Sequence, residues 1–370
     1  MNEERLQQYL NLIDALLTCP SGEEPALVQS HQELIDSDFV QTMLQVAETL
    51  AKRGDTNAAQ FLQAVAGQLA DLAGGAITPE AYLAFLQEVL QATAESDGNP
   101  QVVYPILQQN LDKLNTKFAL VLEDWATPTL AAVDSQQAYA IASVIYSFNL
   151  LLTEFPLGSM ASNLEICLAC VATAATVFSR EQTPEMWAIV QSSLGIRYYN
   201  RVRGNRSENL EKAIAAFEAA LTVYNRESFP FDWAATQENL AYVYLENEQN
   251  SEAISCLRLA LEVFTPHDFP TNCFKAGGNL GNIAFSEEQW ETAIFGYENA
   301  VLAVEKNCEA AESEEQKQQI GAEAGELYDK MVQACVNAGQ VDQAIALAKQ
   351  SNSRRLTEIL TAAGFYPKEA

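Results

Sequence analysis

The second half of the chain repeats itself at a fixed spacing. Residues 222–233 (Thr-Val-Tyr-Asn-Arg-Glu-Ser-Phe-Pro-Phe-Asp-Trp) echo residues 176–187, with each residue displaced by 46 positions. Further along, the displacement settles at 40, and small and aromatic residues align in three rows: Ala213, Ala253 and Ala293; Phe217, Leu257 and Tyr297; Ala220, Ala260 and Ala300. A period of this size indicates stacked units that bury their apolar faces against one another.

The residues inside each period resemble the tetratricopeptide (TPR) repeat. Its Leu-Gly, Tyr, Ala-x3-Phe and later Ala pattern fits Leu240-Ala241, Tyr244, Ala253, Leu257 and Ala260. The next period fits again with Leu280-Gly281, Ala293, Tyr297 and Ala300. The resemblance implies an all-α fold, a right-handed α-solenoid of antiparallel helix pairs, in which small residues lie where two helices cross closely.

Periodicity and turn signals divide the chain into four parts. We predict an N-terminal helical module over residues 1–75, ended by Gly74-Gly75, and a TPR array of about five helix pairs over residues 137–351. Residues 76–136 are helical, either a connector or a degenerate repeat, and include one helix from about Val102 to Trp125 that ends before Thr127-Pro128. Residues 352–370 form a C-terminal helix and tail.

The last repeat carries a second resemblance. Its residues are similar to the repeat that precedes CHAT (caspase-like) domains: Tyr328, Met331-Val332, Ala334-Cys335, Gly339, Ala344 and Ser351-Asn352-Ser353-Arg354-Arg355-Leu356. The sequence ends at Ala370, where such a domain would begin, so we expect the array without the protease domain. The resemblance implies an alternative function, the regulatory or partner-recognition arm of a CHAT-type protease system, acting in trans or truncated from a larger chain.

Charge and leader features indicate where the protein works. The net charge is −28, from 49 acidic and 21 basic residues. Such a balance repels phosphate backbones and anionic lipid, so we expect neither nucleic acid nor membrane as a partner. The polar start Met-Asn-Glu-Glu-Arg does not look like a signal peptide. These features predict a cytoplasmic protein.

Catalytic and metal chemistry lack their usual residue patterns. Cys167 and Cys170 form a Cys-x-x-Cys, but the alignment places them where small packing residues stand in other repeats, and no second pair completes a zinc site. A caspase-like dyad needs a His beside a Cys, and His31 and His267 lie far from any such motif. We therefore expect no enzyme, no cofactor and no metal site.

The candidate binding residues lie on the first helix of each pair, whose free face lines the concave side of a TPR superhelix. Asn239 and Asn279 precede the Leu-Ala and Leu-Gly steps, and Asn282 lies one turn beyond Asn279. Asn-Leu-Gly-Asn (279–282) is similar to the repeats of kinesin light chains, and the resemblance implies that such Asn side chains hold the backbone of an extended peptide. The alternative is that these amides form hydrogen bonds between repeats.

Basic residues are the other candidates. Lys275, on the helix before Asn279, adds positive charge to the same face. Arg197 and Arg201 are four residues apart and would share a helix face if the helix reaches that far. They would then form a clamp for an acidic peptide or a carboxylate terminus, or else belong to a surface turn that pairs with acids. From these features we predict a non-catalytic scaffold or adaptor that binds a protein or peptide segment in the concave groove, with self-association as a further option.

Overall fold

The computed structural model describes residues 3–19, 24–53, 55–73, 77–310 and 314–351. Within these ranges the protein is all-α, with no strand. The chain divides into two compact units, Met1–Asn209 and Leu210–Ala370. The boundaries predicted at residues 75, 136 and 351 stay predictions, and Asn352–Leu356 of the second resemblance lie outside the described residues.

The described residues form seventeen α-helices. Their bounds, in chain order, are α1 Glu3–Thr18, α2 Glu24–Ser30, α3 Ser37–Lys52, α4 Thr56–Ala73, α5 Pro79–Glu95, α6 Pro100–Gln109, α7 Thr116–Ala132, α8 Ser135–Glu154, α9 Met160–Ala175, α10 Pro184–Asn200, α11 Arg206–Leu221, α12 Pro230–Glu246, α13 Asn250–Ala260, α14 Pro270–Ser286, α15 Trp290–Ala310, α16 Glu314–Asn337 and α17 Val341–Ser351.

The first unit contains two large apolar cores. One is built from α1, α3 and α4, where the Tyr9 and Phe39 rings meet edge to face at 5.5 Å between centroids. The other is built from α5 to α9 around Phe118, which contacts both Phe85 and Phe148. Each core is closed by residues from several helices, as expected for helices that are amphipathic but too short to be stable alone.

The helix predicted from Val102 to Trp125 is wrong, because two asparagines break it. Asn110 ends α6, and its Nδ2 donates to the Ile106 carbonyl at 2.9 Å. Asn115 then begins α7 as its N-cap, with Oδ1 accepting from the backbone N–H of Lys117 and Phe118 at 3.0 and 3.3 Å. Capping of this kind stabilises a new helix start by about 1 kcal/mol.

The predicted helix end at Thr127-Pro128 is also wrong, because α7 continues through Pro128 to Ala132. Pro128 has no N–H and so removes one helical hydrogen bond. The neighbouring threonines add bonds on either side of the gap: Thr127 Oγ1 donates to the Glu123 carbonyl at 2.9 Å, and Thr129 Oγ1 donates to the Trp125 carbonyl at 2.6 Å.

The second unit buries the aligned repeat positions. Each exposes at most 1% of its surface: Ala213, Phe217, Ala220, Ala253, Leu257, Ala260, Ala293, Tyr297 and Ala300. Helix α12 packs on α13, α14 on α15 and α16 on α17, and α13–α14 and α15–α16 are also in contact. Small side chains at these crossings allow close approach of the helix backbones.

The crossing of α14 and α15 is built from glycine. A Cβ on Gly277 would lie 2.7 Å from the Gly296 carbonyl oxygen and 2.9 Å from the Ala300 nitrogen. A Cβ on Gly296 would lie 2.8 Å from the Gly277 carbonyl oxygen. Real Cβ contacts are not this short, so this pair of helices requires glycine at both positions. The close crossing of the two helices thus accounts for Gly277 and Gly296.

Turns within the helix pairs are of two kinds. In the first unit, residues 155–159 and 201–205 join their helices, with Gly158 and Gly204 at φ of 86° and 83°. The second of these turns ends at Asn205, because α11 begins at Arg206. In the second unit, the turns 247–249 and 287–289 place Glu248 and Glu288 at φ of 57° and 56°.

Candidate functional site

The asparagine and lysine candidates of the second unit lie on α12 and α14. Both helices begin at a Phe-Pro step, and the proline occupies the first turn, where its missing N–H costs no helical bond. Asn239 and Asn279 stand at the same position in the two helices and are partly exposed, while Asn282 and Lys275 are exposed. The repeat therefore presents an amide at the same position of both helices, at a 40-residue spacing.

A polar network links α12 to α14. Tyr242 OH donates to Glu238 Oε1 at 3.0 Å, and Asn279 Nδ2 donates to Tyr242 OH at 3.1 Å. Asn279 thus forms the inter-repeat bond that was the alternative to peptide binding. Its Oδ1 has no hydrogen-bond donor within the described ranges, so one half of the amide stays available.

Asn282 makes the corresponding link from α14 to α16. Its Oδ1 accepts from Tyr297 OH and from Lys330 Nζ, both at 3.1 Å. Lys330 Nζ also lies 3.0 Å from Glu326 Oε1 on its own helix. The Asn282 Nδ2 group donates to no acceptor among the residues that the structure describes. Asn279 and Asn282 therefore hold neighbouring helices and each leave one amide group unused.

Asn239 differs from the other two. Its partly exposed side chain makes no hydrogen bond in the described part of the chain. A bond between repeats therefore does not account for an amide at this position. Asn239 offers both an N–H donor pair and a carbonyl acceptor to a ligand.

Glu238 was not predicted as a site residue. Its side chain is 7% exposed and lies on α12 beside Asn239. Burial raises the pKa of the Glu238 carboxyl, against the hydrogen bond from Tyr242 and the positive charge of Lys275, which favour the charged form. In a sequence with 49 acidic residues, the acidic side chain alone did not distinguish Glu238 from the others. Its position directly before Asn239 is the sequence feature that could have identified it.

Arg201 does not share a helix face with Arg197, because the condition for that arrangement, a helix that extends to Arg201, is not met. Helix α10 ends at Asn200, and Arg201 is its C-cap with extended backbone (φ −66°, ψ 120°). The Arg201 guanidinium forms two hydrogen bonds to Glu165, from Nε at 2.8 Å and from Nη2 at 2.7 Å. A bidentate pair of this kind is a structural link, and it matches the expected alternative of a turn that pairs with acids.

Arg197 lies near the end of α10 and has a different environment. Its Nη2 donates to Thr153 Oγ1 of α8 at 2.7 Å. Among the described residues, no carboxylate lies within ion-pair distance of it. Both arginines belong to the first unit, whereas Asn239, Asn279, Asn282 and Lys275 belong to the second, so the two groups are separate candidates.

The cysteine pair singled out in the sequence is buried, and the two histidines lie elsewhere in the described part of the chain. Cys167 and Cys170 lie buried in α9, and burial raises the pKa of both thiols, which disfavours the thiolate. His267 lies in an exposed turn, 3.2 Å from Asp268 Oδ1, and His31 Nδ1 lies 3.0 Å from the Leu27 carbonyl. No group of three His, Cys, Asp or Glu side chains in the described ranges is arranged to hold a metal.

A groove of about 640 Å³ lies in the first unit, between α7, α8 and α9. Leu130, Tyr139 and Val177 supply apolar lining, and the hydroxyls of Thr127 and Thr173 add polar groups. The groove contains none of the predicted site residues. As for membranes, none of the helices in the described part of the chain combines the length and apolarity needed to cross a bilayer.

Comparisons with known proteins give limited information. No protein family and no curated protein matches the sequence. Among solved structures, the chain is similar to the crystal structure of BtubC (BKLC) from P. vanneervenii, with 18% identity and a TM-score of 0.40. The similarity covers 69% of this chain and 94% of that chain. A TM-score at this level decides neither the fold nor the function.

Proposed function

We propose that α12 to α17 form an array of tetratricopeptide-type helix pairs whose first helices bind an extended segment of another protein. The protein would act as a non-catalytic scaffold or adaptor in the cytoplasm. The face that we propose for binding is made of Asn239 on α12, Asn279 and Asn282 on α14, and the adjoining surface of α16; we call it the asparagine face.

The single observation that carries the proposal is the unused amide chemistry of this face. The Asn239 side chain has no hydrogen bond within the described residues, Asn279 retains its Oδ1 and Asn282 retains its Nδ2. A peptide backbone presents one donor and one acceptor per residue, and an amide can satisfy either. Side chains that read main chain suit an extended partner whose own sequence varies.

The links between helices support the same interpretation. The Asn279–Tyr242 bond joins α12 to α14, and the Lys330–Asn282 bond joins α14 to α16. These bonds hold the three first helices side by side before a ligand arrives. A face fixed in this way loses less conformational freedom on binding, which raises affinity.

Selection of peptides from a display library on the full chain tests the proposal. The Asn239→Ala variant should bind the selected peptides about tenfold more weakly, corresponding to about 1.4 kcal/mol. Asn239 is the sharpest probe because it holds no neighbouring helix, so its replacement should leave the melting temperature unchanged.

Asn299→Ala is the matched control. Asn299 lies on α15, and its Nδ2 donates within its own helix to the Phe295 carbonyl at 2.9 Å. Its replacement should leave peptide affinity unchanged. Equal affinities for wild type and Asn239→Ala, or a selection that yields no specific peptide, would contradict the proposal. Light scattering, which measures the oligomeric state, distinguishes peptide binding from self-association. If a second copy of the chain covers the asparagine face, peptide should bind only as the oligomer dissociates.

A further inference from the structure

Two polar residues of the first unit occupy positions that are small or apolar in the other helix pairs. They are Asn149 on α8 and Arg197 on α10. The 46- and 40-residue offsets of the repeat give the corresponding residues in the other pairs. Those that correspond to Asn149 are Gly195, Ala241 and Gly281. Those that correspond to Arg197 are Leu151, Val243 and Ile283. All six of these corresponding residues are buried. The repeat framework therefore requires neither an amide nor a guanidinium at these positions.

Asn149 is fully buried and unsatisfied. Its relative exposure is 0%, and neither Oδ1 nor Nδ2 has a hydrogen-bond partner in the described part of the protein. A buried polar group without a partner costs about 1–3 kcal/mol. The alanine or glycine of the other pairs would avoid this cost, so packing does not explain the asparagine.

Arg197 is a cation without an acidic partner among the described residues, in a chain with 49 acidic residues. Its Nε is buried and has no hydrogen-bond acceptor in the same ranges. Its Nη2 donates to a neutral hydroxyl, Thr153 Oγ1. A guanidinium has five N–H donors, and most of those of Arg197 are unused. Arg201, four residues further on, shows by contrast a guanidinium that is paired through two hydrogen bonds with Glu165.

Thr153 contacts the Arg197 side chain and the Asn149 backbone, and it lies at the surface. Its Oγ1 accepts from Arg197 and donates to the Asn149 carbonyl at 2.6 Å. The Cys167 thiol also lies 3.6 Å from that carbonyl. Because Thr153 is exposed, the outer end of the Arg197 guanidinium lies at a solvent boundary, whereas its Nε is buried.

We infer that Arg197, with Thr153 beside it, forms a binding site for a carboxylate on the α8–α10 side of the first unit. A planar carboxylate matches the fork of guanidinium donors and would supply the acceptors that Arg197 lacks. A free small carboxylate and a glutamate side chain of a partner share this chemistry. This site belongs to the first unit and stands independently of the asparagine face.

Calorimetric and thermal-melt titration of the full wild-type chain with glutarate tests the inference. Glutarate should bind and raise the melting temperature in a saturable manner, and the neutral isostere glutaramide should do neither. The peptide acetyl-Ala-Glu-Ala-amide, compared with its Gln counterpart, distinguishes a glutamate side chain from a free carboxylate. If neither carboxylate binds in preference to its neutral counterpart, the inference is wrong.

Two variants that restore the residue type of a neighbouring repeat separate a binding role from a structural one. Arg197→Val and Asn149→Ala should each raise the melting temperature without ligand, because each removes an unsatisfied polar group. Arg197→Val should abolish the glutarate response, whereas Asn149→Ala, whose buried side chain does not reach the ligand, should keep it. Arg226→Gln, which removes an exposed positive charge from the second unit, should keep the response. A lower melting temperature in Arg197→Val, or a glutarate response that this variant retains, would overturn the inference.

Discussion

The helix pairs α12–α13 and α14–α15 share one framework but differ in their crossings and on their exposed faces. At the crossing, Gln237, Ala241 and Cys256 in the first pair correspond to Gly277, Gly281 and Gly296 in the second. Beside the asparagine face, the buried Glu238 and the partly exposed Tyr242 correspond to Gly278 and Asn282. The comparison teaches that the rows of Ala253, Leu257 and Ala260 define the pair, while the remaining positions set how closely the helices approach and what they present.

The largest expected effect tests the shared framework. Ala253→Arg and Ala293→Arg should each lower the free energy of unfolding by about 3 kcal/mol or more, because each buries an unpaired charge at a helix crossing. Urea unfolding measures the change. Ser255→Arg, on the exposed side of α13, is the control and should change stability little. Near-wild-type stability for both alanine variants would contradict the repeat alignment.

The next effect tests the glycine crossing that distinguishes the second pair. Gly277→Ala and Gly296→Ala should each destabilise by about 1–3 kcal/mol, because the new methyl group would overlap backbone atoms of the facing helix. Gly278→Ala is a control in the same helix: its Cβ meets nothing within 4 Å. It should stabilise the protein by up to about 1 kcal/mol through helix propensity.

Thermal melts distinguish these outcomes, because the two adjacent substitutions are expected to shift the melting temperature in opposite directions. Equal shifts for Gly277→Ala and Gly278→Ala would mean that the close crossing of α14 and α15 is absent in solution.

A smaller effect concerns the turns that the two pairs have in common. Glu248 and Glu288 adopt left-handed backbone, and the next residue closes each turn through Gln249 N to Tyr244 O and Gln289 N to Ala284 O, both at 2.8 Å. Glycine has no Cβ penalty in this conformation. Glu248→Gly and Glu288→Gly should each raise the free energy of unfolding by about 1 kcal/mol or less.

The turn at Gly339 provides the reverse control. It has the same geometry, with φ of 74° and a 2.8 Å bond from Gln340 N to Cys335 O. Gly339→Ala should therefore lower stability by about 1 kcal/mol. Destabilisation by glycine at 248 and 288 would show that the glutamate side chains have a role that the backbone does not explain.

The last effect concerns pH and distinguishes Glu238 from Gly278. Burial raises the folded-state pKa of Glu238 above its ordinary value of 4.5. The folded state therefore holds this proton more tightly than the unfolded state, so the associated stabilisation is complete below pH 4.5 and is lost as pH rises through the folded-state pKa. Glu238→Gln should remove that loss.

Urea unfolding of wild type and Glu238→Gln across this range measures the difference in stability. The free energy of unfolding of Glu238→Gln should increase relative to that of the wild type as pH rises from about 4 to about 7. A pH-independent difference would show that the Glu238 carboxyl titrates as in the unfolded chain.

The sequence was informative where the physics is periodic. Rows of small and aromatic residues recur at 40 positions because neighbouring pairs repeat the same contacts, so the aligned positions followed from spacing, and the all-α class followed from the family resemblance of those residues. Local capping was harder to foresee: Asn110 and Asn115 split a predicted helix, and Thr129 helps α7 to continue past Pro128. Each depends on one side chain bonding to nearby backbone, which a periodic pattern does not encode.

In the candidate site, too, the sequence predicted the positions of residues but not their hydrogen bonds. Asn239, Asn279 and Asn282 were identifiable from their repeat positions, but their bonding differs because it depends on side chains such as Tyr242 and Lys330 from other helices. The Arg201–Glu165 pair joins residues 36 positions apart and likewise required the folded chain. Asn149 could have been noticed from the alignment itself, since it stands where the other pairs have glycine or alanine.

The most direct test of the proposed binding face is the side-chain amide resonance of Asn239 in the nuclear magnetic resonance spectrum of the full chain. On addition of a selected extended peptide, we predict a saturable shift of the Asn239 Nδ2 protons with little change at Asn299. Unchanged Asn239 resonances in the presence of a peptide that binds elsewhere on the chain would contradict the proposal.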